Sequence, residues 1–303
     1  MRTFLLIGGM PRSGTTLLET VIGSHSRIAV PPGDFPFAEQ HARNLSVEKI
    51  FAVLATKSTW KLWPEQNFVS LFDRDHGTAF RESMLRYAAA LDKDIPAAKA
   101  PYSEFFYDTY VDWLAEFDLK FIHMIRNPFD VIASLKKSHI HRNWQPYADL
   151  IEVQSQNWLR SITLGLARQS NDAEHYRVIK YEDFVRNPAS MSEQLCRFLG
   201  VDFEQVRMLD RSDFAYHDTN TSFPDVEAAF HQASRHIYQA TSRKQYLDTA
   251  EITLVAAHCG EAALALGYED TDIQSRPPSR VTRIRPSVRL RRKLTRLRRR
   301  LLG

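Results

Sequence analysis

The chain has 303 residues, 44% hydrophobic and 25% charged, the composition of a globular, enzyme-sized protein with room for a large core. Two cysteines, Cys196 and Cys259, exclude a disulfide framework, and no apolar run approaches the ~20 residues of a membrane span. The net charge of +4 is uneven: residues 276–303 hold twelve of the 40 Lys/Arg and no acid, leaving 28 bases against 36 acids elsewhere.

The first apolar run, residues 3–8, reads as a buried strand, and 14–24 as the helix after it. That run is too short for a signal segment and leads straight into a loop, so a cytoplasmic location is expected. Residues 80–92 have helical periodicity, 97–101 read as a short strand, and a helix is expected from about Glu104. The β-rich run 119–125 ends in Arg126-Asn127-Pro128, with Pro suited to a first helical position. A helix continues from there, and a long amphipathic one covers 147–169. Residues 174–184 read as a strand, 187–200 as a helix stopped by Gly200, and 249–266 as a last helix ending at Gly267. Both cysteines fall in helices and read as buried structural thiols. Strands alternating with helices argue for an α/β fold with a central parallel sheet, whose ligands bind at the carboxyl ends of the strands.

Two segments lie at such ends. In "GGMPRSGTT", Gly9 and Gly14 have the separation of the phosphate-binding loop G-x-x-x-x-G-K-[ST], and Thr16 fills the Ser/Thr place. Thr15 stands where the lysine should be, and that lysine serves the terminal phosphates of a triphosphate. A helix N-terminus still offers backbone N–H groups and a positive dipole end. Arg12, Ser13, Thr15 and Thr16 add polar side chains, so a single phosphate group fits better than a triphosphate. In "IRNPFDVIASL", Arg126 at a strand end and Ser134 about two helical turns later can hold a second phosphate, with Asn127 and Asp130 capping the helix.

Taken together, "PRSGTTLL" and the later R-x-P-x-D-x-x-x-S resemble sulfotransferases that use 3′-phosphoadenosine 5′-phosphosulfate (PAPS). The likeness runs over residues 3–268 and is nearest the bacterial and tyrosylprotein-type branch. It implies a P-loop-like three-layer fold and PAPS as co-substrate, with adenosine 3′,5′-bisphosphate as product. It also implies that Arg12, Ser13, Gly14, Thr15 and Thr16 cradle the 5′ side, and that Arg126 and Ser134 hold the 3′-phosphate. "KYEDFVRNPASMSEQLCRFLGV" is similar to a family segment read as scaffold. "TSRKQYLD" is similar to a basic loop near the nucleotide, making Arg243 and Lys244 candidates for the 3′-phosphate, although the usual glycine or tryptophan is absent.

Sulfuryl transfer needs a base for the acceptor proton and cations for the developing charge. The resemblance implies a carboxylate after the first helix. There the chain reads "SHSRIAVPPGDFPF", with Gly33 at the expected acid and Asp34 beside it as the candidate base. Lys99 in "AAKAP" matches a K-x-P element and is the candidate catalytic cation, with Arg12 sharing that work. His25 has a rival claim as base but reads as structural, and His123, inside a strand, reads as core.

The reading is therefore an enzyme that moves a sulfuryl group to a hydroxyl, less readily an amine. The acceptor is a sugar, lipid headgroup, phenol or protein side chain, and nothing in the pattern requires a metal. The alternatives are a P-loop small-molecule kinase and a non-catalytic nucleotide-binding protein. Acceptor contacts are expected from loops around 32–70, 139–147 and 210–240. Two domains follow: residues 1–270 as the catalytic domain, and 271–303 as a Pro/Arg-rich tail whose Leu290, Leu294, Leu297 and Leu301 form a stripe on a basic helix. That stripe suits an anionic membrane surface and a peripheral position there. Charge alone admits nucleic acid, but the tail has no aromatic residue for base stacking, so no specific nucleic acid is expected.

Overall fold

A computed structural model describes residues 1–57, 59–60, 63–64, 67–141, 149–210 and 244–268. The chain divides into two units, Met1–Glu269 and Asp270–Gly303; the second lies outside the described residues, as do Arg243, the proposed tail helix and most of the expected acceptor loops.

Five parallel strands form the centre: β1 (Thr3–Gly8), β2 (Ile28–Ala29), β3 (Ile95–Lys99), β4 (Asp118–Ile125) and β5 (Tyr176–Lys180), in the order β2-β3-β1-β4-β5. β1 is buried on both faces, which is why it is apolar throughout. Its Phe4 and Leu6 enter one core with Phe121 and Tyr176, while Leu5 and Ile7 enter the other with Ile122 and Met124. The first core is completed by aromatic residues of α2 (Phe37–Ala42), α3 (Val47–Ala55), α4 (His76–Ala90) and α5 (Tyr107–Trp113). The second is completed by α1 (Thr15–Gly23), α9 (Pro188–Leu199) and α10 (Gln205–Asp210).

Between these lie α6 (Pro128–His141), α7 (Leu150–Asn171) and α8 (Tyr181–Arg186), and α11 (Thr249–Ala265) closes the unit. The helix starts are set locally. Ser46 accepts from the Lys49 amide before α3, Asp75 from Thr78 before α4, and Asp248 with Glu251 forms a reciprocal capping box before α11. Asn127 Oδ1 accepts from the Phe129 amide at 3.0 Å, so Asn127 caps α6. Asp130 instead faces Arg126 at 4.0 Å. Gly200 ends α9 in the left-handed conformation.

Two expectations change. Residues 181–184 continue as helix α8, because the strand turns directly into a helix at Lys180-Tyr181. The helix expected from Glu104 begins as a 3-10 turn, Ser103–Phe106, and becomes α-helical only at Tyr107. Both cysteines are buried and free, as expected. Among the described residues no helix is long and apolar enough to cross a membrane.

The strand order changes direction at β1, so β3 and β4 flank it with their carboxyl ends together. Ile7 aligns with Lys99 on one side and Ile122 on the other. The loops after β1, β2, β3, β4 and β5 therefore share one edge of the sheet.

Candidate active site

The loop between β1 and α1 is shaped by its backbone. Gly9, at φ +130°, lies where a Cβ would meet the Met124 carbonyl oxygen at 2.2 Å. Gly14, at φ +100°, is the residue before α1, and a Cβ there would meet the Tyr181 ring at 2.3 Å. Only glycine fits either position. Arg12 adopts φ +73° without being glycine, a strained conformation of the kind stored at binding sites. The first amides of α1, directly after this loop, have no partner within the helix. Ser13 is buried, and its Oγ has no hydrogen-bond partner among the described residues. A buried hydroxyl left this way suits a missing acceptor.

The second motif meets the first directly. Arg12 Nε donates to Ser134 Oγ at 3.0 Å, and Arg126 Nη1 donates to the Arg12 carbonyl at 3.4 Å. Thus residues more than a hundred positions apart, expected at one edge, lie in one cluster. Arg126 is buried, and its Nε has no hydrogen-bond partner among the described residues. Its guanidinium lies 4.3 Å from the centre of the Tyr181 ring. Its carbonyl accepts from Trp158 Nε1 at 2.9 Å, and the next amide, Asn127, donates to Glu182 Oε1 at 2.9 Å. The segment read as scaffold therefore shapes the site: Tyr181 packs on Gly14 and under Arg126, and Glu182 fixes the β4–α6 turn. Lys244 lies with its ammonium 5.1 Å from the Phe129 ring centre, on α6 beside this cluster.

The third group is built on charge. Lys99 ends β3 and is 3% exposed, not solvated. Its Nζ lies 2.5 Å from Asp34 Oδ1 and 3.0 Å from Glu19 Oε2. Burial alone would lower the lysine's pKa, but the two carboxylates outweigh it and hold the ammonium above its usual value. Burial likewise pushes the Asp34 carboxyl up, yet Lys99, together with Lys57 and Arg12, holds it below the ordinary aspartate value. Lys57 Nζ also donates to the Asp34 carbonyl at 2.9 Å. Glu19 is 0% exposed; burial dominates there and raises it from 4.5 to about 7. Glu19 Oε1 accepts from the Gly33 amide at 2.6 Å, which ties helix α1 to the loop carrying Asp34.

Glu19 was not legible as a functional residue. Its one signal is a single acid on the face of α1 that also buries Thr15, Ile22 and Gly23. His25 proves structural: Nδ1 accepts from the Arg27 amide at 3.0 Å and Nε2 meets the Asp202 carbonyl at 2.9 Å. His123 is buried between Ser161 and Tyr176, and burial pulls it down to about 3. Behind it, Ser161 donates to Glu104 Oε1 at 2.6 Å, and Glu104 Oε2 accepts from the Gly9 amide at 3.0 Å, so this polar chain braces the first glycine of the loop.

The family model described as "Sulfotransferase family" matches residues 5–205. Mouse carbohydrate sulfotransferase 1 is 24% identical over 168 residues, covering 50% of this chain and 39% of that protein. The chain thus spans well under half the length of this curated relative. Among solved structures, the sulfotransferase domain of the Synechococcus PCC 7002 olefin synthase matches with a TM-score of 0.53 and 20% identity, over 84% of this chain and 94% of that one. The sulfotransferase domain from the curacin biosynthetic pathway matches with a TM-score of 0.55 and 19% identity, over 89% of this chain and 99% of that one. At these identities the two structures support the fold alone, a parallel sheet between helices with a P-loop-like first turn. With the family model matching some two thirds of its length, this chain belongs to the sulfotransferase family.

Proposed function

We propose that this chain transfers a sulfuryl group from PAPS to a hydroxyl acceptor. The observation that carries the reading is the meeting of the two motifs, Arg12 with Ser134 and Arg126, over a glycine-shaped loop at a helix N-terminus. The fit is supported by Ser13 Oγ and Arg126 Nε, two buried donors with no hydrogen-bond partner among the described residues and suited to an anionic ligand. When bound, PAPS supplies the activated sulfuryl group. Ser13, Gly14, Thr15 and Thr16 would bind its 5′ side, and Arg126 and Ser134 its 3′-phosphate, with Lys244 and Arg243 as further candidates. Asp34, whose side chain is 44% exposed, takes the acceptor's proton. Lys99 and Arg12 stabilise charge that builds up during transfer.

A carbohydrate hydroxyl is the acceptor class to test first, because the curated relatives bear that name. Residues 1–270 form the catalytic domain in this reading. The basic segment 271–303 contacts anionic lipid and keeps a cytoplasmic enzyme at the membrane face. Liposome flotation with phosphatidylserine vesicles checks this: full-length protein floats and a chain ending at residue 270 does not.

The test of the activity is release of adenosine 3′,5′-bisphosphate from PAPS in the presence of a carbohydrate, phenol and lipid-headgroup panel, with an ATP/Mg²⁺ arm alongside. Acceptor-dependent release with no phosphoryl transfer from ATP supports the reading. Phosphoryl transfer from ATP with no turnover of PAPS replaces it with the kinase reading.

A further inference from the structure

The resemblance accounts for Asp34, Lys99 and the two phosphate motifs, but not for Glu19. It is a carboxylate with no exposed surface, placed in the first helix beyond the phosphate loop. Two contacts occupy it. One oxygen accepts from the Gly33 amide at 2.6 Å, and the other lies 3.0 Å from the Lys99 ammonium. Lys99 in turn holds Asp34 Oδ1 at 2.5 Å. Glu19 therefore reaches the candidate base by two routes, through the backbone of the neighbouring residue and through a shared cation. A glutamate serving only to fill this space gains nothing from its charge, and an apolar side chain of that size would avoid its desolvation cost.

We propose that Glu19 is the positioning residue of this site: it aims the Asp34 loop through the Gly33 amide, and its negative charge, competing for Lys99, sets how strongly Asp34 binds the acceptor's proton. This inference rests on the sulfuryl-transfer reading. When Glu19 is ionised, one ammonium is shared between two carboxylates. Asp34 then loses part of the stabilisation that keeps it a weak base, and its proton affinity rises. When Glu19 is protonated, Lys99 belongs to Asp34 alone, and Asp34 is held more firmly as an unreactive carboxylate.

The switch falls where Glu19 titrates, near 7 because burial outweighs Lys99. The groups facing it come from every side. Lys99 ends β3, Asp34 sits in the loop after β2, and Tyr87 of α4 is itself pushed up by burial and by the Glu19 charge. Lys57 and Arg12 act on the same cluster through Asp34. The coupling is reciprocal, since the Asp34 charge raises Glu19 in turn.

Two readouts test it together. The first is difference infrared spectroscopy of the carboxylic-acid carbonyl band against pH, which needs no turnover. The expected result is a band that titrates near pH 7, is lost in Glu19→Gln, and moves to lower pH in Asp34→Asn. The second is the pH profile of kcat with PAPS. Wild-type kcat rises through about pH 7, and Glu19→Gln loses that rise, with kcat about three- to tenfold lower at pH 8. Binding of adenosine 3′,5′-bisphosphate by Glu19→Gln is unchanged, because glutamine still accepts from Gly33 and the phosphate motifs are untouched. If Glu19→Gln does not fold, Glu19→Asp takes its place, with the band and the kcat rise both displaced in pH. A kcat rise that survives Glu19→Gln, or a band that stays put in Asp34→Asn, overturns the proposal. Failure of the wild type to bind the bisphosphate overturns the sulfotransferase reading instead and leaves the infrared coupling to be judged alone.

Discussion

The two halves of the site solve opposite electrostatic problems. Around Arg12, Ser134 and Arg126 the side chains touch backbone and hydroxyl groups, and two buried donors have no hydrogen-bond partner among the described residues. Around Lys99 opposite charges are set against each other, with one ammonium between two carboxylates. In the proposed function the first half takes an anion, and its two buried donors are what suit it to one. The second half holds its charges ready against each other, so that small changes in one partner shift proton affinity in the others. The proposed function thus separates recognition from chemistry along one sheet edge, and Arg12 joins the two clusters, since it bonds Ser134 and acts on Asp34.

The sharpest way to break the second half is to remove its centre. Lys99→Ala takes the ammonium from Glu19, which has no exposure, and leaves Asp34 with Lys57 and Arg12 alone. Stability is expected to fall by about 3 kcal/mol, the scale of a broken buried pair, measured by urea unfolding. Activity with PAPS falls in the same variant by at least about a hundredfold.

Titration gives a gentler probe of the same half. The folded value of Glu19, about 7, lies above the ordinary 4.5, so the native state binds its proton more tightly than the unfolded chain. The resulting stability is full below pH 4.5 and is lost as the pH rises towards 7. Relative to Glu19→Gln, wild-type stability is expected to drop across that window by ~1.4 kcal/mol per pH unit, roughly 3 kcal/mol in all. Paired urea titrations at several pH values check this, and parallel curves would mean that Glu19 is ionised throughout.

Outside both halves, effects should be small. Lys136 pairs with Glu251 at 2.6 Å, and both side chains are partly exposed. Lys136→Met is expected to cost about 0.5 kcal/mol in thermal unfolding and to leave nucleotide binding unchanged. A loss of binding there would extend the recognition half into the region before α11.

Much of this was legible in the sequence because the carriers are local. The apolar run 3–8, the Gly9–Gly14 spacing and the Asn127-Pro128 pair each announce a strand, a turn or a helix start without tertiary help. β5 and α8 blurred because no Gly or Pro separates them at Lys180-Tyr181, and the aromatic Tyr181 and Phe184 suit a strand as well as a helix. β2 has two residues and is defined by its pairing with Ile95 and Pro96, which no local pattern reveals. In the site, Arg12, Arg126 and Ser134 were found by motif and do meet. Tyr181 and Glu19 were not, because their importance lies in what they touch, Gly14 and Arg126 for one, Lys99 and Gly33 for the other.

The most direct measurement is calorimetric titration with adenosine 3′,5′-bisphosphate of wild type, Arg126→Ala and Ser134→Ala. Micromolar binding by wild type is expected, weakened about 10- to 100-fold by Arg126→Ala and severalfold by Ser134→Ala, with each variant folded by thermal unfolding. Equal binding by all three, or binding of ATP/Mg²⁺ in place of the bisphosphate, would contradict a site assembled from the two motifs.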